Sequence, residues 1–97
     1  MVKHMIVWSL KDGIDKDAVK AEIKKQLEDL TGKIDGLLEM KIITNGLDSS
    51  KGDLFMDSTF ESVEALKVYA VHPLHVAVAD GIVRPNTASR ASYDYEI

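Results

Sequence analysis

The 97-residue chain has no cysteine, which excludes a disulfide framework and a thiolate nucleophile. It has no basic surplus either. Twelve Lys and Arg face 16 Asp and Glu, for a net charge of −4, which argues against nucleic acid as the main partner. Met1 to Leu10 is apolar, yet too short for a membrane span and without a signal peptide's cleavage region. The expectation is a cytoplasmic protein with no membrane partner. There is no phosphate-cradling glycine loop, and no serine lies in an elbow or triad context. Internal repeats, linkers and low-complexity tracts are absent too, so residues 1–97 read as a single domain with one modest core.

The richest stretch runs from Phe60 to Val78 and holds His72, His75, Pro73 and Tyr69. A strand is predicted to end at Phe60. Ser62 then caps a helix by accepting from its orphan N–H groups, and Glu64 suits the positive end of the helix dipole. Pro73 ends that helix, because proline disfavours helical geometry in the residue before it and fits a first turn. His75 therefore falls in the opening turn of a second helical segment. An imidazole held there tends to stay neutral, as a general base must.

Before this stretch, Val2 to Leu10 alternates with apolar residues on both faces: His4, Ile6 and Trp8 on one, Met5 and Val7 on the other. That pattern belongs to a central strand. Asp15 caps a helix predicted over Lys16 to Leu30, whose Val19, Ile23, Leu27 and Leu30 form one buried stripe. Gly32 or Gly36 releases the chain into a strand over Leu37 to Thr44. A polar loop, Asn45 to Gly52, joins it to a third strand, Asp53 to Phe60. The chain closes with a strand over Asn86 to Ile97. Ala91, Tyr93, Tyr95 and Ile97 lie on one face of it, and Arg90, Ser92 and Asp94 on the other.

The resulting order, β-α-β-β-α-β, is the ferredoxin-like α+β arrangement of one antiparallel sheet with helices on one side. Helices cover only one face of such a sheet, while several strands offer apolar side chains on both. The bare face would be a large apolar patch, so a symmetric homodimer, sheet against sheet, is expected.

Four groups of residues carry a resemblance over essentially the whole chain. They are Lys3-His4 opening an apolar strand, Phe60-Glu61-Ser62 before a helix, Tyr69 followed by His72-Pro73-Leu74-His75-Val76, and Tyr93-Asp94-Tyr95-Glu96 at the end. Together they resemble the stress-responsive A/B barrel domain (Dabb) family. The resemblance implies a dimeric α+β barrel. The family includes oligomeric plant stress proteins and a plant polyketide cyclase that works by aldol-type condensation without metal or organic cofactor. The cyclase's catalytic histidine and tyrosine fall at His75 and Tyr69, and a further pocket histidine falls at His4. Its other pocket histidine lies in the third strand, where this chain has Leu54 and Phe55.

On this reading His75 is a general base and Tyr69 a hydrogen-bond donor to a developing enolate. His4 orients the ligand, Trp8 walls the pocket, and Arg90 meets a substrate carboxylate or enolate, or else an acid of the same dimer. Each has a structural counterpart: a helix-start histidine, a half-buried tyrosine, a satisfied core histidine, a core tryptophan. His72 reads as structural, its ring capping the carbonyls of the segment before it. No carboxylate lies near His72 and His75 in sequence to complete a metal site, so no metal is expected, and the resemblance implies no organic cofactor. Asp94 and Glu96 read as ordinary edge charges. The function expected is binding of a small, mostly apolar or aromatic carbonyl or phenolic compound, with cyclase or isomerase chemistry. The alternatives are a non-catalytic stress-responsive structural protein and a carrier of hydrophobic ligands.

Overall fold

A computed structural model describes residues 1–97. Four strands, β1 (Val2–Leu10), β2 (Leu37–Ile43), β3 (Leu54–Phe60) and β4 (Thr87–Glu96), form one antiparallel sheet in the order β2-β3-β1-β4. The predicted ferredoxin-like α+β order is the one found, and β1 is central. Helices α1 (Lys16–Glu28), α2 (Val63–Val71) and α3 (Pro73–Val78) lie on one side of the sheet. The chain does not leave the helical path at Val78. It continues through a wider π-helical turn (Ala79–Val83) and one last helical turn (Arg84–Asn86) before β4.

Both expected caps are present. The Asp15 side chain accepts from Ala18 N–H, and the Ser62 hydroxyl accepts from Ala65 N–H, each at 3.1 Å. Helix α1 ends two residues before Leu30, in tight turns that bond Leu30 N–H to Leu27 C=O and Thr31 N–H to Glu28 C=O. Leu30 is still buried, as its place in the stripe requires. Gly32 and Gly36 both take positive φ, and only Gly36 is tightly enclosed. A Cβ at Gly36 would stand 2.5 Å from the Cβ of Ala65, so glycine lets the start of β2 approach α2. β3 begins at Leu54 because Asp53 is used differently: its carboxylate accepts from Leu10 N–H and ties the loop to the end of β1.

Phe60, Leu54, Met56, Ile42, Ile23 and Leu27 fill the space between helices and sheet. β2 is an edge strand, and α1 protects it. Lys24 Nζ donates to Ile42 C=O, while Glu28 accepts from Ile42 N–H, both at 2.9 Å. The opposite sheet face carries half-buried Met5, Val7 and Phe55, with Ile43, Tyr93, Tyr95 and Ile97 exposed. A Lys3–Asp57 ion pair crosses that face. No helix is long and apolar enough to cross a membrane.

Candidate ligand cavity between helices and sheet

Antiparallel register decides which side chains of β1 and β4 meet. Trp8 lies opposite Arg90, Ile6 opposite Ser92, and His4 opposite Asp94, all on the helix side. Over this face α2, α3 and the π-helical turn leave a cavity of about 560 Å³. It is lined by His4, Ile6, Trp8 and Met56 from the sheet, and by Leu66, Tyr69, His75 and Val83 from the helices. Arg84, Arg90, Lys67 and Asp94 add charge. The five residues singled out from sequence (His4, Trp8, Tyr69, His75 and Arg90) all line this one cavity.

The break at Pro73 folds His75 back over Tyr69. Their ring centroids are 4.1 Å apart with planes inclined by 30°. Tyr69 in turn packs on Phe60 at 4.9 Å, and Phe60 meets His4 edge-on at 6.2 Å. A row of rings thus runs from β1 to the start of α3.

His75 is half-buried, and its Nδ1 lies 3.3 Å from the Ala70 carbonyl oxygen. A proton on Nδ1 makes that bond, which leaves Nε2 as the basic nitrogen. Burial lowers the His75 pKa below its ordinary 6.5, and the charges of Arg84 and His4 push the same way. The Ala70 and Tyr69 backbone groups oppose them, without reversing the shift. Burial also pushes the Tyr69 hydroxyl well above the usual tyrosine range, so it remains a protonated donor.

His4 is paired through Nδ1 with the Asp94 carboxylate, a contact that fixes its ring orientation. Asp94 is therefore part of the cavity and not an ordinary edge charge. Reading alternation in β4 places it on the helix side; the strand pairing that sets it against His4 was the missing step. Arg90 is exposed at the cavity rim and enters no ion pair within the chain, so it is not a buried charge in need of an acid. The His72 ring caps the helix after it, where the sequence pointed to the one before: Nδ1 accepts from Leu74 N–H at 3.1 Å. The end of α2 is closed by the His72 backbone N–H on Tyr69 C=O. No group of three or more His, Asp or Glu side chains is arranged to hold a metal ion.

Arg84, Lys67 and Val83 were not recognised from sequence as cavity residues. For Val83 and Arg84 the only signal is spacing, which the π-helical turn distorts: Arg84 N–H bonds back five residues to Ala79 C=O. Lys67, in the regular helix α2, reads as a solvated charge.

The family model for the stress responsive A/B barrel domain, Dabb, matches residues 2–97. A stress-response A/B barrel domain-containing protein of Arabidopsis thaliana, HS1, is 36% identical over 84 residues, covering 80% of this chain and 73% of that protein. Olivetolic acid cyclase of Cannabis sativa is 34% identical over 82 residues, covering 81% of this chain and 80% of the cyclase. A dimeric Bacteroides fragilis protein of ferredoxin-like fold has a TM-score of 0.89 at 30% identity. The match covers 99% of this chain and 95% of that one.

Proposed function

The chain belongs to the stress-responsive A/B barrel domain family, and we propose that its helix–sheet cavity binds a small, mostly apolar carbonyl or phenolic compound and moves a proton on it. The observation that carries this reading is the close Tyr69–His75 pair inside a largely apolar cavity. Nε2 of His75 removes a proton from carbon next to a carbonyl. The electron pair of the broken C–H bond moves to the carbonyl oxygen, where the Tyr69 hydroxyl donates a hydrogen bond to the enolate. The enolate carbon then attacks a second carbonyl of the same molecule, closing a ring, and the alkoxide so formed takes the proton back from the His75 imidazolium. Alternatively a conjugated enolate takes that proton at a different carbon, giving an isomer. His4, held by Asp94, orients the ligand; Trp8 and Arg90 bind it. The reaction needs no cofactor. The likeness to a cyclase at 34% identity supports the reaction class.

The working unit in this reading is a homodimer, one sheet face against another. Exposed Tyr93, Tyr95, Ile43 and Ile97 support it, as does the likeness to a dimeric protein at TM-score 0.89.

The likeness to HS1 supports a stress-responsive role. In that second reading the same cavity stores or carries a ligand, or serves only stability, without turnover. One experiment separates the readings. Wild type, His75→Ala and Tyr69→Phe are screened by thermal shift against small phenols, polyketide lactones and aromatic carboxylates. Hits are then incubated in D₂O and examined by NMR for deuterium uptake at carbon. Proton transfer predicts a wild-type shift, reduced in both variants, with exchange lost in His75→Ala. Binding without exchange supports a carrier. Equal shifts in all three proteins would place the ligand elsewhere and overturn the site.

A further inference from the structure

The charged groups around the cavity are unevenly signed. Three cations line it, Lys67, Arg84 and Arg90, against a single carboxylate, Asp94. That runs counter to a chain of net charge −4. The lone acid is already engaged, because Asp94 is paired with His4. Lys67 and Arg90 take part in none of the chain's ion pairs. Arg84 meets Asp80 one turn away, but both side chains are more than half exposed, and an exposed pair of this kind holds its partners weakly.

The cavity is also polarised along the sheet. Asp94 and His4 face each other at one end of the β1–β4 ladder, and Arg90 faces Trp8 four residues away along β4. At roughly 3.3 Å per residue, these ends are ~13 Å apart. Apolar Ile6, Trp8 and Met56 line the sheet between or beside them. A cavity of about 560 Å³ lies within the ordinary range for one small ligand.

Resting on the proton-transfer reading above, we propose that the cavity selects an amphiphilic carboxylate, an aryl- or alkyl-substituted keto acid. Its carboxylate is bound by Arg84 and Arg90 at the rim, and its ketone carbonyl lies at Tyr69 and His75. The guanidinium fork matches a carboxylate with two parallel hydrogen bonds, and the apolar strip takes the body of the ligand. The anion also acts on the base. Arg84 pushes the His75 pKa down in the free protein. A carboxylate that neutralises this charge strengthens His75 as a base once the ligand is seated.

The test uses the full chain and three matched probes: hydrocinnamate, its primary amide and phenethyl phosphate. Affinities are measured by calorimetry near neutral pH at low and high salt, for wild type, Arg84→Gln, Arg90→Gln and Lys41→Gln. Lys41 lies outside the cavity. The carboxylate is expected to bind wild type about tenfold or more tighter than the amide, as one charge-assisted contact implies. Each Arg→Gln change removes most of that preference and leaves amide binding unaltered. Lys41→Gln changes neither affinity. In an NMR titration, bound hydrocinnamate moves the His75 ring pKa upward in wild type and less so in Arg84→Gln.

Equal binding of acid and amide would overturn the anion site while leaving the apolar cavity reading intact. Tighter binding of the phosphate would replace the carboxylate with a phosphate ester. Arginine variants that lose acid and amide alike would reduce Arg84 and Arg90 to structural residues. If wild type binds none of the three probes, the keto-acid proposal falls, and the phenol and lactone screen decides the cavity reading separately.

Discussion

The Tyr69 and His75 rings lie 4.1 Å apart although five residues and a helix break separate them in sequence. The ring of Tyr69 is almost fully buried, packed between Phe60 and His75, so the ring itself supports the core. Burial is the sole cause of its raised pKa, with no bond from a protein group contributing. Tyr69→Phe is therefore expected to keep the fold, shifting the melting temperature by only a few degrees, as a change under ~1 kcal/mol does in a domain this size. Turnover, once a substrate is found, should fall by about 10²-fold or more, as for loss of an oxyanion donor. Tyr69→Ala should cost ~3–5 kcal/mol through the cavity it leaves. Calorimetric melting and initial rates check both. A Phe variant with full activity would remove Tyr69 from the chemistry.

His75 gives a pH prediction with a definite sign. Its folded pKa lies below 6.5, so the neutral ring persists to lower pH in the folded chain than in the unfolded one. The acid limb of the pH profile of kcat/KM should therefore fall below pH 6.5. Because Arg84 is one of the groups depressing it, Arg84→Gln should move the limb upward. Stability follows the same linkage. Above 6.5 neither state binds the proton, and the His75 contribution is constant. As pH falls through the unfolded value, the unfolded chain protonates first and the fold loses stability, until the folded pKa is passed. His75→Gln should flatten that part of the curve. NMR titration of the ring and urea midpoints across the window test it, and a ring pKa above 6.5 would contradict it.

What could be seen in the sequence, and what could not, divides along a physical line. Period-two alternation assigns faces, so His4, Ile6 and Trp8 were set apart from Met5 and Val7, and Arg90 and Asp94 from Tyr93 and Tyr95. The register bears this out residue by residue. Caps are local chemistry, and Asp15 and Ser62 were legible for that reason. Pairing across strands is not local. Alternation puts Asp94 on the right face but shows only an edge charge, since its partner His4 is 90 residues away. Arg84 was hidden by the π-helical turn, which inserts an extra residue and breaks the 3.6 period. Sequence puts His72 at the helix break but points its ring to the segment before it, whereas the ring caps the helix that follows. A residue between two helices has orphan groups on both sides, and sequence does not choose between them.

The clamp of α1 on the edge of β2 makes another prediction. Burial alone would raise the Glu28 pKa. The hydrogen bond from Ile42 N–H, with the bond and charge of Lys24, outweighs it, and the net shift is below 4.5. A depressed carboxylate stabilises fully above its unfolded pKa and loses that contribution as pH falls through the folded value. Glu28→Ala leaves Ile42 N–H unpartnered and should cost about 1 kcal/mol, at the low end because the carboxylate is partly exposed. Glu28→Gln keeps an acceptor and should cost less. Urea unfolding at neutral pH and again well below pH 4.5 tests this, the gap between wild type and Glu28→Gln narrowing in acid. A gap that widens in acid would reverse the sign.

The bare sheet face supplies the last prediction. Tyr93 is 74% exposed and sits opposite Met5 in the register, with Val7 and Phe55 on the same face. In a two-fold dimer each substitution is made twice across one interface, so its cost doubles. A central interface tyrosine is worth ~2 kcal/mol, giving about 4 kcal/mol per dimer for Tyr93→Asp, or a weakening of roughly 10³-fold. That is enough to convert a sub-micromolar dimer to monomers at working concentrations. Glu64→Gln, on the exposed side of α2, should leave association unchanged. Sedimentation velocity on the wild type and both variants gives the masses directly. A monomeric wild type would dismiss the dimer. A Tyr93→Asp variant that sediments as a dimer would mean the copies join through some other surface.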